Sequence, residues 1–280
     1  MGRGGGGIGV PPPAPGAAAR SLASLGMGGV EEIVDGAFVF YRRRFLACFT
    51  AMALVQVPVT IGLTLFLETA MRKINEAGLD TQLISQGLTY ALVVVLPSAI
   101  LSLVATQIGT GAITYLVGKA CVGETVGVVE SYRWALRKAM PLLGTAAVIG
   151  FACVFGFFLF VVPAIIAFLV SFAAVPAVML EDRGVRDGIS RSYALAAGSL
   201  GRVAAVRLIV ALLFGACYAV GWSVAGSITE RADAAMLLSQ IPTLIIGPVD
   251  AISMVLLYYD LRVRREGLDL ERMAAELAPR

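Results

Sequence analysis

The sequence predicts an all-α, polytopic membrane helix bundle: six transmembrane helices in three hairpins, each hairpin preceded by a cytoplasmic amphipathic helix. Three observations carry this. Hydrophobic residues make up 58% of the chain and charged residues 15%, against about 25% charged in soluble domains, and the mean hydropathy is +0.85. Apolar stretches of roughly 20 residues, the length a helix needs to cross the hydrocarbon layer, recur six times. Three times, a basic stretch with apolar side chains at helical spacing runs directly into a pair of those stretches, the signature of an internal repeat.

Residues 1–29 form a Gly, Ala and Pro tract, with Gly4 to Gly7 and Pro11, Pro12 and Pro13. Such a tract cannot bury enough apolar side chain to offset ordering entropy, so a disordered cytoplasmic tail is expected. Its glycines and prolines interrupt any signal-peptide core, and Gly6 stands where N-myristoylation wants Ser or Thr. The membrane domain is expected over 30–267, with a short cytoplasmic tail over 268–280.

The first amphipathic segment places Val30, Ile33, Val34, Ala37, Phe38 and Tyr41 on one face, the i, i+3, i+4, i+7 pattern. Glu31, Glu32 and Asp35 stand early in it and Arg42, Arg43 and Arg44 late, which suits the helix dipole at both ends. The first span is read over 45–67. The second, over 88–117, is longer than a bilayer requires, and Pro97 predicts that its first turns are kinked or interfacial. Ser98, Ser102, Thr106 and Thr110 recur along it at fourfold spacing, a stripe that serves close helix packing or a hydroxyl-lined path.

Thr125 is the expected N-cap of the second amphipathic segment, which sets Val129, Tyr132, Leu136 and Ala139 on one side and Glu130, Arg133 and Arg137 on the other. Spans three and four, over 142–162 and 164–179, meet at Val162-Pro163-Ala164. No charge occurs between Lys138 and Glu181; such a run is too long for one helix, so a tight hairpin is predicted. The third amphipathic segment turns Val185, Ile189, Ser192 and Ala196 inward, with Asp187 and Arg191 four apart as a stabilising pair. Spans five and six are read over 203–224 and 241–261.

Basic residues are retained on the cytoplasmic side of a bilayer. Residues 1–44 hold five Lys or Arg, 118–141 four, 180–202 four, and the chain from Arg262 onward five, whereas Arg72, Lys73 and Arg231 are the three on the opposite side. Both termini are therefore expected in the cytoplasm, in a bacterial-type plasma membrane.

Histidine is absent, which removes the commonest general base and metal ligand. Cys48, Cys121, Cys153 and Cys217 lie far apart with no CxxC motif, so no metal site, cofactor or catalytic residue is expected and the protein is read as non-enzymatic. A net charge of +3, with basic residues tracking the membrane face, does not support nucleic-acid binding.

Polar residues at bilayer depth are costly and default to a functional hypothesis. Asp250 lies about 12 residues, roughly 18 Å, from the Arg262 end of span six. Gln56 and Gln107 sit at similar depth, and Arg207 stands near enough to stretch toward Asp250 or snorkel to the headgroups. Together they form a candidate midplane polar site. Gly247-Pro248-Val249-Asp250 also reads as a helix start, with proline at the first position and an acid at the third. That reading makes span six discontinuous, as in transporters. A second candidate set forms a rim for lipid headgroups or internal pairing: Arg42, Arg43, Arg44, Arg133, Arg137, Arg191, Ser192, Tyr258, Tyr259, Asp260 and Arg262. Asp260 is expected to pair with Arg191 or Arg202.

Two passages carry a resemblance. Met179-Leu180-Glu181-Asp182-Arg183-Gly184, followed by Ile189-Ser190-Arg191-Ser192-Tyr193-Ala194-Leu195 with Gly198 and Arg202, is one. The closing Leu257-Tyr258-Tyr259-Asp260-Leu261-Arg262-Val263-Arg264-Arg265-Glu266-Gly267 is the other. With Val162-Pro163-Ala164, Ala37-Phe38 and Tyr41-Arg42, the region 30–270 resembles the membrane domain family named after glycerophosphoryl diester phosphodiesterases. The resemblance implies a multi-helix membrane domain that in some relatives precedes a soluble phosphodiesterase domain. The histidines of such an active site do not occur here, so the resemblance implies a fold and no activity.

The expected function is an integral membrane module whose basic, aromatic cytoplasmic rim contacts lipid headgroups or partner proteins. The alternative is a small-solute or lipid transporter using the polar layer around Asp250. A cavity lined by Gln56, Gln107 and Asp250 favours transport and a solid bundle favours the module.

Overall fold

The computed structural model describes residues 29–76, 96–229, 238 and 241–266. The two expected tails, Gly29 apart, fall outside the described residues, as do residues 88–95 of the expected second span, Arg231 and the side chains of Arg72 and Lys73. The helices are α1 (Val30–Arg43), α2 (Phe45–Glu76), α3 (Leu96–Cys121), α4 (Val128–Arg137), α5 (Ala139–Leu159), α6 (Val161–Val170), α7 (Ala174–Leu180), α8 (Val185–Ala196), α9 (Leu200–Ile228) and α10 (Ile241–Glu266), and a 3-10 turn, Ser171–Ala173, joins α6 to α7. Among the described residues there is no strand.

Six segments are long and apolar enough to cross a membrane: Phe45–Phe66, Leu96–Cys121, Ala139–Leu159, Val161–Leu180, Leu200–Ile228 and Leu244–Arg265. The outer surface is apolar as well. Phe158 is 84% exposed, and Phe151, Val154 and Phe155 are exposed beside it on α5. Water does not tolerate a patch of that extent on a monomeric soluble protein, and lipid does. The chain is a multi-pass integral membrane protein.

The bundle is built around its last helix. Of the spanning window in α10, 72% is buried, against 17% to 44% in the other five. It packs on α1, α2, α3 and α9, and Ile252, Val255, Leu257 and Tyr258 are fully enclosed. Because the lipid is as apolar as these side chains, close packing and polar bonds, rather than the hydrophobic effect, hold such helices together.

Long-range polar bonds fix α4 and α8 at one end of the bundle, where α1 packs on α9 and α10. The Tyr132 hydroxyl of α4 donates to the carbonyl of Ala51 near the start of α2, and Trp134 Nε1 donates to Met179 O at the end of α7 at 3.2 Å. The Tyr259 hydroxyl donates to Gly118 O, near the end of α3, at 3.2 Å. Burial pushes the Tyr132 phenol up to about 12, so it remains a donor across the ordinary pH range.

Four local expectations are corrected, and proline accounts for two of them. Pro248 lies inside the continuous helix α10, so span six is not broken. Packing against α1, α2, α3 and α9 holds the helix through the one hydrogen bond that the ring removes. The turn between spans three and four is at Phe160, extended at φ −168° and ψ 152°, and not at Val162-Pro163-Ala164. Pro163 sits in the first turn of α6, where no intrahelical N–H is needed. Pro97 stands at the edge of the described part of α3, so the expectation of kinked or interfacial first turns there lies outside the described residues. Lastly, Gly127 and not Thr125 occupies the N-cap of α4. That helix buries Ser131, Tyr132 and Ala135 and leaves Val129 73% exposed with Leu136 also exposed. The bonds from Tyr132 and Trp134 set its rotation, and they override the apolar periodicity.

Candidate functional site

At mid-depth five helices leave a half-enclosed cavity of about 460 Å³. Met52 and Gln56 of α2, Thr106 and Thr110 of α3, Phe168 of α6, Arg207 and Phe214 of α9, and Gly247 and Asp250 of α10 line it. Gln56 is about 16 Å along α2 from Phe45, and Asp250 about 18 Å along α10 from Arg262, at 1.5 Å per residue. Small residues make the room: Ala211, Gly215 and Gly247 face the space where larger side chains would close it.

Arg207 and Asp250 give the cavity its polarity. Their nearest atoms, Nη1 and Oδ1, are 3.8 Å apart, too far for a good hydrogen bond. The guanidinium lies over the Phe168 ring, 4.7 Å from its centroid, a cation–π arrangement. Arg207 Nε is buried with no hydrogen-bond partner among the described residues. The Asp250 side chain is 40% exposed and that of Arg207 17%; at this depth the openness of Asp250 is toward the cavity it lines.

Of the four residues expected at the midplane, Gln56, Arg207 and Asp250 come together, and Gln107 does not line the cavity. One residue along a helix turns a side chain by about 100°, so Thr106 and Thr110 face the space and Gln107 looks elsewhere. The hydroxyl stripe was visible in the sequence; Phe168 was not, because an aromatic among the apolar side chains of a span carries no signal.

The rim residues divide into two sets. Glu181, just beyond α7, accepts from the Tyr258 hydroxyl and from Arg183, and from Arg191 Nε at 3.0 Å, with Arg262 Nε 3.7 Å away. Burial alone would raise its pKa, but the bonds from Tyr258 and Arg183 and the charges of Arg191 and Arg262 hold it below the usual carboxylate value. Asp260 is 2% exposed and accepts from Arg202 at 2.6 Å and Arg264 at 2.8 Å. Of the two partners expected for Asp260, Arg202 takes the place and Arg191 goes to Glu181. Ser192 donates to Val170 O at 2.5 Å and accepts from Ala173 N at 2.9 Å, fastening the 3-10 turn to α8. Arg191, Ser192, Tyr258, Tyr259, Asp260 and Arg262 are thus turned inward as a polar lock.

The second set faces outward. Arg42, Arg43, Arg133 and Arg137 are exposed, and Arg44 is half-buried. Arg133 and Arg137, with Trp134 and Tyr115 stacked at 5.4 Å, border a surface cleft of about 550 Å³. Glu181 escaped the sequence reading as a site residue, although it ends the longest uncharged run in the chain. Among the described residues no group of three or more His, Cys, Asp or Glu is placed to hold a metal ion.

Compared with family models, curated proteins and solved structures, the chain gives no match.

Proposed function

We propose that this protein binds a small polar solute or a lipid in the cavity around Asp250 and carries it across the membrane. The observation that supports the reading most is the loosely paired Arg207 and Asp250 in a half-enclosed, mid-depth cavity. A charged pair at that depth is costly, and a helix bundle built only to anchor gains nothing from leaving its partners 3.8 Å apart beside open volume. The exposed basic residues support a cytoplasmic placement of the end that carries α1, α4 and α8, and of both termini.

The test is sided labelling. Thr110→Cys, in a background in which all four native cysteines are replaced, is treated with a membrane-impermeant thiol reagent in right-side-out and inverted vesicles. Transport predicts labelling from both sides, with Asp250→Asn shifting the balance between them. A residue that no reagent reaches from either side makes the bundle a static module. Impermeant labelling of a cysteine added at each terminus checks the orientation; an external terminus overturns it.

The second reading is a non-enzymatic membrane module that presents a basic face to anionic headgroups or partner proteins. The outward placement of Arg42, Arg43, Arg133 and Arg137 favours it. Reversing these four charges should weaken association with anionic lipid under this reading; unchanged association leaves only an anchoring role.

A further inference from the structure

A second space adjoins the polar cavity. Cys153, Val154 and Phe157 of α5 and Val161, Ala164 and Ile165 of α6 form an apolar surface groove of about 450 Å³ that Phe168 also lines. Phe168 lines the polar cavity as well, and its ring carries the Arg207 guanidinium. A single side chain therefore borders both an apolar groove and a site bearing one cation and one anion.

We propose that the ligand is a zwitterionic amphiphile, with its anionic group on Arg207, its ammonium on Asp250 and its hydrocarbon chain along the α5/α6 groove. This rests on the binding reading of the cavity given above and assigns its ligand class. Charge complementarity selects the headgroup. Arg207 and Asp250 sum to zero, so a net charge on the ligand leaves one charge uncompensated in a low-dielectric wall, whereas a zwitterion satisfies both. Arg207 Nε, buried and without a partner among the described residues, is a donor held ready for the anionic group, and a phosphate or carboxylate suits a guanidinium. The 3.8 Å gap between Arg207 and Asp250 lets the two charged groups of the ligand replace one weak contact with two strong ones.

The groove selects the tail. A chain gains no hydrophobic free energy by moving from lipid to protein, so the groove serves as a route: the amphiphile brings its headgroup to the cavity without leaving the bilayer. The headgroup then passes Phe168, whose ring carries the Arg207 guanidinium on one face.

The probe is a phosphatidylcholine carrying a photoreactive diazirine in mid-chain, incorporated in nanodiscs with the full-length protein. Labelling should concentrate on residues 153–168, fall by roughly thirtyfold or more in Asp250→Asn, as expected when one partner of a buried charge contact is lost, and be competed by water-soluble glycerophosphocholine. Ile165→Trp, an exposed position at which folding is not at stake, should block labelling of the groove while glycerophosphocholine still binds. Labelling of 153–168 that neither Asp250→Asn nor glycerophosphocholine alters marks ordinary boundary lipid and overturns the proposal. Equal labelling by an anionic phosphatidylglycerol probe overturns the zwitterion assignment. Binding of glycerophosphocholine that requires Arg207, without labelling of the groove, removes the amphiphile and keeps the cavity reading; no binding by either probe removes both.

Discussion

The Tyr258 hydroxyl, on the buried last helix, donates to the carboxylate of Glu181 at the end of α7, 77 positions earlier in the chain. Arg183, Arg191 and Arg262 converge on the same carboxylate. A buried charge of this kind contributes little as a pair and costs a great deal when one partner is removed. Glu181→Gln should therefore destabilise the protein by about 3 kcal/mol, the scale for leaving buried charge uncompensated, and Tyr258→Phe by about 1 kcal/mol for one hydrogen bond. Thermal unfolding in detergent of the two variants and of the double variant separates the terms; additive losses would deny the contact.

The same carboxylate sets an acid limit. Its folded pKa lies below the ordinary value of 4.5, so the folded protein releases the Glu181 proton more readily than the unfolded chain does. The stabilisation is fully present above 4.5 and is lost as pH falls through the folded value. Melting temperatures measured from neutral to pH 3 should drop at the acid end, and the drop should be shallower in Glu181→Gln. Equal slopes would assign the acid sensitivity to other carboxylates.

Asp260 discriminates between its two arginines by burial. Arg202 reaches it from α9, with 24% of its side chain exposed, while Arg264 reaches it from one turn along the same helix and is 43% exposed. Arg202→Ala is expected to cost about 2 kcal/mol or more, and Arg264→Ala under about 1 kcal/mol, as for exposed i, i+4 pairs. Unfolding midpoints of the two single variants check the order, and the reverse order would place the structural contact within α10.

At Gly156 the α5/α6 pair comes close together. A Cβ there would lie 2.8 Å from Ala164 N, a backbone atom that cannot rotate away. Gly156→Val should cost about 1 to 3 kcal/mol, as overpacking does. Gly150→Val on the same helix, where nothing lies within 4 Å, should be near neutral. Heat stability of the two variants in detergent makes the comparison; equal effects would point to helix propensity and not to the close approach.

Composition and run length were enough to read the six spans, because the bilayer constrains every spanning segment in the same way. The ends of spans were harder. Val162-Pro163-Ala164 and Gly247-Pro248 carry strong local turn or start signals, yet proline inside a first turn and proline inside a well-packed helix leave the same mark on a sequence. The depth of Gln56, Arg207 and Asp250 was legible from distance to the span ends, whereas the exclusion of Gln107 depended on the rotation of α3, which a stripe of small residues does not fix. The Glu181 cluster was the least legible part: it joins residues from separate helices, and no periodicity within one helix reports on a contact between them.

The position of α10 bears on how the bundle is made. The span that is most enclosed is the last of the six to leave the ribosome, so the earlier helices enter the bilayer before the surface against which they pack exists. Met52, Gly118 and Glu181 wait in lipid or at its edge for Gly247, Tyr259 and Tyr258 to arrive. Until then the charges around Glu181 lack a phenol and the mid-depth space has no wall on one side. Insertion machinery or a chaperone has its longest opportunity to act on this chain in that interval, and a nascent chain stalled before α10 should be the form most readily degraded.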